Sequence, residues 1–524
     1  MLSQLPAETA PVVSHHRAES FVQAVGSSVL WRAVDRGASF GKHLIVAAAL
    51  GLSAQLDSFY MGMAVLGIFV CTWGNLMDVL AVPKLVAYSK AGDQEKFDRT
   101  TSGLFTLTIL FGICLVAIAF LARPLIHVFA PGFSGRRLEL LSGSVVYFLP
   151  FVLVYTSFRC LGATFRAVRR FTTFYFADAL VSLLAVAVIA FFRNKPYILV
   201  ISQSLAEVGA FLFLLALASR RFRLIGHPFS PEVRACLRMA PGLLVLQATI
   251  FVYQMIERFF VSYLPEGGVG ALTYAWTLVA TVPALASFGD SFLTVFAERQ
   301  STPDRGSGAL NDLVAFAIFV GAPATIFFIF ESRLLIQAML QRGRFTPADT
   351  YATATTLMAY AAAAIPLFLL PVVDQVFQVI GKVYMMALRL CLGIGTNVVV
   401  NAILLFKFHA GRIGIASAFS FSYWMMLLLA IVALNRQGVA IDLRRHARWL
   451  AIMLAASSLG VWVINTLFAP LDGIAGLAAR LCLYPAFVVS LVLLLPVGEG
   501  ALLRRLIERV SPVKFSWPAS EVKA

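Results

Sequence analysis

The same succession of hydrophobic segments and short glycine-containing loops occurs twice in the chain. A loop at Gly51–Tyr60 follows the first hydrophobic segment, and a similar loop at Leu264–Tyr274 follows about 214 residues later. A second matched pair, Ile126–Phe133 and Ile336–Phe345, keeps nearly the same offset and precedes a hydrophobic segment that contains a proline. Duplicated bundles of proline-interrupted helices are typical of membrane carriers, whose two halves move about a central site. The repeat therefore predicts two pseudo-symmetric helical lobes and makes a carrier the first functional hypothesis.

The composition excludes a soluble protein with one core. Hydrophobic residues make up 60% of the 524 residues and charged residues only 13%, so the apolar segments exceed what a globule can bury. Residues 1–23 are polar and lack the apolar centre of a cleaved signal peptide, so we expect insertion to rely on the first membrane helix. The six cysteines are scattered without the spacing of a metal site or a disulfide framework, and we interpret them as small apolar residues.

Fourteen stretches have the length and apolarity of a membrane-spanning helix. They lie near residues 25–50, 58–83, 103–129, 138–163, 171–192, 198–219, 237–263, 269–297, 310–330, 352–380, 384–406, 414–434, 447–468 and 474–496. The predicted organisation is a cytoplasmic tail (1–24), a first six-helix lobe (25–219), a cytoplasmic linker (220–236), a second six-helix lobe (237–434), an added helix pair (447–496) and a second cytoplasmic tail (497–524). The fold class is thus an all-α polytopic membrane protein with about 14 transmembrane helices.

Lysine and arginine are concentrated in alternate loops. The loops after the even-numbered segments hold roughly twice as many of them as the loops on the other side, for example in residues 84–99 and 220–238. Short loops rich in these residues stay in the cytoplasm, so we expect both termini to be cytoplasmic. These loops account for most of the net charge of +16, and charge spread in this way does not indicate a nucleic-acid-binding surface.

The first predicted helix is unusually polar for a membrane span. Its polar side chains include Arg32, Asp35, Arg36, Ser39, Lys42 and His43. The two arginines, the serine and the histidine share one face at helical spacing, and we expect that face to line water. Gly37 and Gly41 lie on the opposite face, where close packing on a neighbouring helix is expected. Charges as deep as Arg36 and Lys42 are typical of a cavity or a pathway, whereas Arg32 lies near the cytoplasmic end, where it can reach water by snorkelling.

Further charges lie inside the other predicted spans. They are Asp78, Arg159, Asp178, Glu207, Glu257, Arg258, Asp290 and Asp374. Glu257 and Arg258 are adjacent and point about 100° apart, so we expect each to have a different partner. For most of the others an interhelical pair is favoured over contact with a transported ligand. Asp57, at the start of the second predicted helix, is interpreted either as an N-cap or as part of a site.

Several short motifs occur in one order that is found in a known transporter family. They are Leu50–Tyr60, Val82–Tyr88, Ala130–Phe133, Gly162–Ala163, Arg169–Phe171, Phe260–Gly267, Tyr274–Ala275 and Arg342–Thr346. The ordered set resembles the MurJ/MviN family of lipid II flippases, within the multidrug and oligosaccharidyl-lipid exporter superfamily. The resemblance implies two lobes around a V-shaped cavity, and a hydrophobic groove formed by the last two helices. It also implies a lipid-linked saccharide diphosphate as substrate, moved from the inner to the outer leaflet of the bacterial cytoplasmic membrane.

The same resemblance implies site residues. The basic positions of the family in the first helix fall on Arg36 and Lys42, and its loop aspartate falls on Asp57. Two further basic positions of the family fall on uncharged residues here, near Val70–Cys71 and at Thr277. The cationic set is therefore thinner than the family pattern.

Arginines elsewhere in the spans are candidates for the missing charge. We expect Arg258 and Arg159 to contribute, and Arg32 and Glu257 complete the predicted substrate-binding set. The physical reason is that a diphosphate cannot cross hydrocarbon unless fixed cations and hydrogen-bond donors replace its water. A lipid tail needs no such help.

The driving force is left open by the sequence. Membrane potential acts on any net charge that is moved across the bilayer. Asp290, Asp374 and Glu257 are the candidates for binding a coupling proton or sodium ion. No other cofactor, no catalytic residue and no metal site is predicted.

Other functions stay open as alternatives. A flippase for an exopolysaccharide or O-antigen repeat unit would suit the missing basic positions. A MATE-type drug and cation antiporter would share the fold but would be expected to carry carboxylates where this first helix is basic. An inactive scaffold is a third alternative, and a membrane glycosyltransferase is disfavoured because no large outer loop is present to carry its chemistry. The expected partners are the lipid-linked saccharide, the bilayer and proteins of cell-wall or polysaccharide assembly, without nucleic acid.

Overall fold

The computed structural model describes residues 21–121, 123–192, 197–238, 240–285, 307–467 and 473–494, apart from a few side chains within the helices. Every regular element in these ranges is helical. The chain divides into two compact units, Met1–Glu266 and Gly267–Ala524. Most of the two predicted tails lies outside the described residues, as do Asp290 and the side chain of Asp78.

The first unit contains nine helices in the described residues. They are α1 (Phe21–Leu50), α2 (Ala54–Ala91), α3 (Gln94–Leu121), α4 (Ile126–Phe129), α5 (Gly135–Ala167), α6 (Phe171–Phe191), α7 (Ile198–Ser219), α8 (Pro231–Leu237) and α9 (Ala240–Ser262). A single 3-10 turn at Arg123–Leu125 precedes α4. The short α4 and α8 lie between long helices, and the remaining seven have lengths suited to a membrane.

The second unit continues with helices of similar length. Its described helices are α10 (Gly268–Leu285), α11 (Ser307–Leu340), α12 (Pro347–Ala361), α13 (Ala364–Val379), α14 (Val383–Ala402), α15 (Gly411–Arg436), α16 (Leu443–Leu467) and α17 (Gly473–Leu494). A wider, π-helical turn at Ile403–Lys407 extends α14.

The predicted membrane fold is confirmed. In the described part of the chain, 10 helices are long and apolar enough to cross a membrane, and the bent pair of α12 and α13 makes 11 if it forms one span. The predicted number of about 14 stays a prediction, since part of the chain between α10 and α11 is outside the described residues. The positions of the helices otherwise follow the hydrophobic segments of the sequence closely.

The start of α2 settles one open alternative. The helix begins before the predicted residue 58, at Ala54, because the Ser53 hydroxyl accepts the backbone N–H of Leu56 and caps the first turn. Asp57 lies within that turn rather than at the cap, so the N-cap interpretation of Asp57 is wrong.

Proline accounts for two breaks within predicted spans. The predicted segment 103–129 is divided where Pro124 lies in the turn between α3 and α4. The predicted segment 352–380 is divided into α12 and α13, which meet at 45°. Pro366 lies in the first turn of α13, and its ring would clash with the carbonyl of residue 362 in a continuous helix.

Small residues decide how closely the helices of the first unit pack. Lipid is as apolar as a leucine side chain, so helices in a membrane associate mainly where backbones and rings can approach. A Cβ added at Gly162 of α5 would lie 2.3 Å from the Phe174 ring of α6, which therefore packs on the glycine. Gly37 and Gly41 of α1 differ, because no described atom lies within 4 Å of a Cβ added at either. The expected close packing on that face of α1 is wrong.

The first unit extends beyond the predicted first lobe. It includes α9, whose Phe251 ring lies edge-on to Phe69 of α2 with centres 4.8 Å apart. The place of this helix in the sequence repeat predicts that it belongs to the second lobe. The lobe boundaries themselves stay a prediction.

Candidate functional site

The polar side of α1 lies against α6. The Arg32 guanidinium donates to the Tyr175 hydroxyl at 2.8 Å and lies 4.7 Å from the centre of that ring. Ser182 donates to the Asp35 carboxylate at 2.6 Å. Arg32 remains exposed, so it can reach water as its position near the helix end predicts, and it contacts α6 at the same time. These contacts fix the rotation of α1 relative to α6.

That rotation turns Lys42 towards α7. The Lys42 ammonium donates to the Gln203 side-chain carbonyl at 3.4 Å, and the Gln203 amide donates to Glu207 at 3.3 Å. Gln203 and Glu207 are one helical turn apart, so they present their side chains to α1 in a row. Lys42 lies about 12 Å from the end of α1 at Leu50, at the rise of an α-helix. The predicted deep cation therefore has a fixed polar partner inside the first unit.

A small cavity lies at the contact between Lys42 and Gln203. Its volume is about 40 Å³, and its lining comprises Lys42, His43, Val46, Phe59, Tyr60, Ile189, Leu199, Ser202 and Gln203. A cavity of this size has room for about three water molecules, and the polar residues within its largely apolar lining offer hydrogen bonds to such water. Lys42 is therefore held beside a small cavity of mixed lining.

Arg36 lies on a different face of α1 from Lys42. It is exposed, together with Gly37 and Phe40, whereas Ser39 and His43 are half-buried. Six residues of helix turn the side chain by about 240°, so Arg36 and Lys42 do not share a face. His43 is bonded through Nδ1 to the Ser39 carbonyl at 2.7 Å. Arg36 is thus accessible, while Ser39 and His43 are half-buried, and the expectation that this face lines water stays a prediction.

Asp57 is fully buried, with 0% of its surface exposed, and pairs with Arg137 of α5. The Arg137 guanidinium lies 3.4 Å from the Asp57 carboxylate and donates to the Leu264 carbonyl at 2.7 Å. It also lies 3.9 Å from the centre of the Phe133 ring. In return, Ser58 donates to the Arg137 carbonyl at 3.0 Å. The aspartate therefore joins the start of α2 to the start of α5.

Two further hydrogen bonds complete what we call the Asp57 loop cluster, formed by residues 53–58, 130–137 and 262–266. The backbone N–H of Ala54 donates to Glu266 at 2.8 Å, and the N–H of Gly132 donates to the Ser262 hydroxyl at 3.0 Å. A Cβ at Gly132 would lie 2.5 Å from the Ser262 carbonyl oxygen, so only glycine fits. The cluster joins the start of α2 and the end of α9 to the loop before α5.

The other predicted arginine positions are half-buried. Arg159 of α5 crosses α2 at Gly74, where an added Cβ would lie 3.0 Å from the arginine Cγ, and its guanidinium lies 5.7 Å from the Phe174 ring centre. Glu257 and Arg258 lie on α9, and the Nε of Arg258 is buried without a hydrogen bond in the described residues. The structure brings Arg159 close to the α6 side of the bundle, and it leaves the substrate roles of Arg159, Glu257 and Arg258 as predictions.

Asp374 has a fixed cation beside it. Arg389 of α14 lies 2.7 Å from one carboxylate oxygen of Asp374 and 2.8 Å from the other. A mobile coupling cation at Asp374 would have to compete with this guanidinium. Among the described residues, no group of three or more His, Cys, Asp or Glu side chains is placed to hold a metal ion. Asp290, the other predicted coupling residue, lies outside them.

The family positions without charge carry ordinary packing contacts. Val70 is fully buried in α2, and Cys71 beside it is half-buried. The Thr277 hydroxyl donates to the Thr273 carbonyl one turn earlier at 2.8 Å, as threonine commonly does within a helix. None of the three offers a positive charge.

Several functional contacts were missed by sequence reasoning. Gln203 was not singled out, because an uncharged amide in a membrane helix gives a weak signal. Arg389 and Arg480 were also missed, although both lie inside predicted spans and the depth argument used for Arg258 would have found them. Arg480 lies 3.7 Å from Glu331, and both are buried.

Comparisons with known proteins agree along most of the chain. The model of the family described as "MurJ: Lipid II flippase MurJ" matches residues 46–478. A protein of Rickettsia prowazekii named "Probable lipid II flippase MurJ" is 27% identical over 345 residues, which are 62% of this chain and 66% of that protein. A protein of the same name from Vibrio cholerae is 22% identical over 467 residues, covering 84% of this chain and 87% of that protein.

Solved structures show the same fold. A structure of lipid II flippase MurJ in an inward closed conformation superposes with a TM-score of 0.71 at 16% identity, covering 91% of this chain and 100% of that one. An inward-facing MATE multidrug transporter superposes with a TM-score of 0.62 at 13% identity, over 78% of this chain and 98% of the other. The family match and the order of the motifs lead to one assignment. The chain belongs to the MurJ family of lipid II flippases.

Proposed function

We propose that this protein is a transporter that moves lipid II from the inner to the outer leaflet of the bacterial cytoplasmic membrane, with both termini in the cytoplasm. The observation that carries the proposal is the Lys42 ammonium, held by Gln203 beside a small cavity within a bundle of membrane helices. A half-buried cation of this kind is what a diphosphate needs in place of water when its headgroup leaves the surface.

The accessible cation of α1 has a separate role in this proposal. Arg36 is exposed, so it meets the headgroup first in this proposal. Lys42 is half-buried and bonded to Gln203, so it would hold the headgroup at a later stage. Alternating access of the two lobes would then carry the headgroup across, while the lipid tail stays in the bilayer or in the groove predicted between α16 and α17.

The missing basic positions favour a second candidate. Val70, Cys71 and Thr277 leave fewer cations than the family pattern provides, which would suit a lipid-linked repeat unit of another surface polysaccharide. Both candidates share the diphosphate chemistry and differ in the saccharide. A cation antiporter is disfavoured, because Arg32, Arg36 and Lys42 make α1 basic.

The test is exposure of lipid II in the outer leaflet of cells depleted of this protein. Rescue uses wild type, Arg36→Ala, Lys42→Ala and the control Lys90→Ala, which removes an exposed lysine from the last turn of α2. Loss of a charge-assisted hydrogen bond of about 1.5–3 kcal/mol predicts at least about tenfold less exposure for Lys42→Ala at equal expression. Lys90→Ala should rescue fully.

Three outcomes would overturn the proposal. Unchanged lipid II exposure after depletion excludes this protein as the flippase, and loss of another surface polysaccharide in the same cells assigns the second candidate. Full rescue by Lys42→Ala would remove the role of the cavity cation. Absence of any saccharide defect would favour the scaffold or the antiporter.

A further inference from the structure

Glu207 is a buried carboxylate that the transport proposal leaves unused. It is 4% exposed and lies on α7, about 14 Å from the end of that helix at Ile198. One carboxylate oxygen accepts the Gln203 amide at 3.3 Å. The other is buried and makes no hydrogen bond in the described part of the chain. An ionised carboxylate in such a place is costly unless a cation or a proton neutralises it.

The orientation of Gln203 links this carboxylate to Lys42. Its carbonyl faces the ammonium and its amide faces Glu207. The amide therefore bridges the Lys42 amine and the Glu207 carboxyl group through one hydrogen bond at each end. If Lys42 turns away from Gln203, Glu207 loses the polarised partner that stabilises its charge.

The groups that face Glu207 come from four helices. They are Lys42 on α1, Cys71 on α2, Tyr155 and Arg159 on α5, and Asp178 on α6. The cations that face Glu207 are Lys42 and Arg159, whereas Asp178 also faces Arg32 and Arg166, and Lys42 also faces Asp35. When a diphosphate takes the charge of Lys42, Glu207 keeps only Arg159 of its two cations, and a proton is the smallest cation that can replace the lost one.

A small cavity lies on the Lys42 side of this bridge. The cavity of about 40 Å³ lies at the Lys42–Gln203 contact, and Tyr60 and Ser202 add hydroxyl groups to its lining. Gln203 lines the cavity and donates to Glu207 at 3.3 Å, so Glu207 lies one hydrogen bond beyond the cavity. Water in this cavity would lie beside Lys42 and one side chain away from Glu207.

We infer that Glu207 is a proton-binding site that is coupled to the substrate: it takes up one proton when Lys42 pairs with the diphosphate, and it releases that proton when Lys42 returns to Gln203. The inference rests on the proposed function. The proton comes from a hydronium ion of the solvent: its O–H bond breaks, leaving water, as an O–H bond forms on Glu207, and no group is oxidised or reduced. Coupling of this kind is reciprocal, so protonation of Glu207 strengthens diphosphate binding to the same degree that binding favours protonation.

The experiment counts protons. Lipid II is titrated calorimetrically into the purified full chain in lipid nanodiscs, in buffers of different ionisation enthalpy. Up to one proton per bound lipid II should enter Glu207 in wild type. In the pH range where Glu207 of the lipid-free protein is ionised, the affinity of wild type for lipid II should rise up to tenfold for each unit by which the pH falls. Glu207→Gln should bind with up to one proton less. Glu139→Gln, an exposed control on α5, should match wild type. The ionisation of lipid II itself is the same in all three and cancels.

The outcomes separate the two proposals. No binding of lipid II to wild type contradicts the proposed function. Binding with equal proton uptake in wild type and Glu207→Gln contradicts the coupling alone. Should Glu207→Gln fail to fold, infrared difference spectra of wild type with and without lipid II decide the matter. The band of a protonated carboxyl group should grow on binding and should shift in Glu207→Asp, and its absence in wild type overturns the inference.

Discussion

Replacing Asp57 by alanine should destabilise the first unit strongly, although the residue lies far along the chain from its partner. The carboxylate is fully buried, and the Arg137 guanidinium, only 12% exposed, lies 3.4 Å from it. At that distance the attraction is about 5 kcal/mol for an effective dielectric constant of 20. Most of it offsets the cost of taking two charges out of water, so the pair itself contributes less.

The free energy lost when one partner is removed differs from the net contribution of the ion pair. Removal of one partner from a buried pair costs about 3–5 kcal/mol, because the other charge is left buried. Arg137 keeps the Leu264 carbonyl and the Phe133 ring, so we expect the lower end, about 3 kcal/mol for Asp57→Ala. Arg137→Met combined with Asp57→Ala should restore part of the loss, since no charge then remains unpaired.

Equilibrium unfolding in mixed detergent micelles measures these differences. A double-mutant cycle over Asp57 and Arg137 isolates their coupling. The exposed pair of Asp93 and Lys96, in which the nitrogen and oxygen lie 2.6 Å apart, is the control and should show little coupling. A loss below about 0.5 kcal/mol for Asp57→Ala, or a coupling no larger than in the control pair, would refute the reasoning.

Two further predictions concern the backbone. Gly132→Ala should destabilise by about 2 kcal/mol or more in the same unfolding assay, because its Cβ meets the Ser262 carbonyl at 2.5 Å. Gly37→Ala, with no described atom within 4 Å, should be neutral or stabilising by up to about 1 kcal/mol, and a large loss there would contradict the open face of α1. The backbone N–H of Arg445 lowers the pKa of Asp442, which immediately precedes α16. That contribution is present above the ordinary pKa of aspartate and is lost as pH falls through the lowered value, so protection against hydrogen exchange in the first turn of α16, measured relative to the unstructured rate, should fall in acid for wild type but not for Asp442→Ser.

The membrane helices were predictable because each depends on local information. An apolar segment of about 20 residues must be helical to satisfy its own backbone in lipid, whatever surrounds it. Pro366 likewise marks the bend between α12 and α13, since in a continuous helix it would remove a hydrogen bond and its ring would clash with the preceding turn. The sequence also placed the deep charges of α1 correctly on that helix.

The partners of those charges were not predictable, because they depend on the rotation and offset of distant helices. Lys42 and Gln203 are 161 positions apart in the chain, and a rotation of α1 by one residue would separate them. The exposure of the polar face was not predictable either, since Arg36 is exposed and His43 is half-buried. The close packing predicted at Gly37 and Gly41 was wrong for a related reason, because a small residue permits close packing without requiring it.

The most direct test of the central claim is transport by the protein alone. Wild type and Lys42→Ala are reconstituted into vesicles that carry lipid II in the inner leaflet, and its arrival outside is followed with a reagent that cannot cross the membrane. We predict that wild type accelerates arrival over protein-free vesicles and that Lys42→Ala loses at least about tenfold of that acceleration. Equal rates for wild type and protein-free vesicles, or for wild type and Lys42→Ala, would contradict the account.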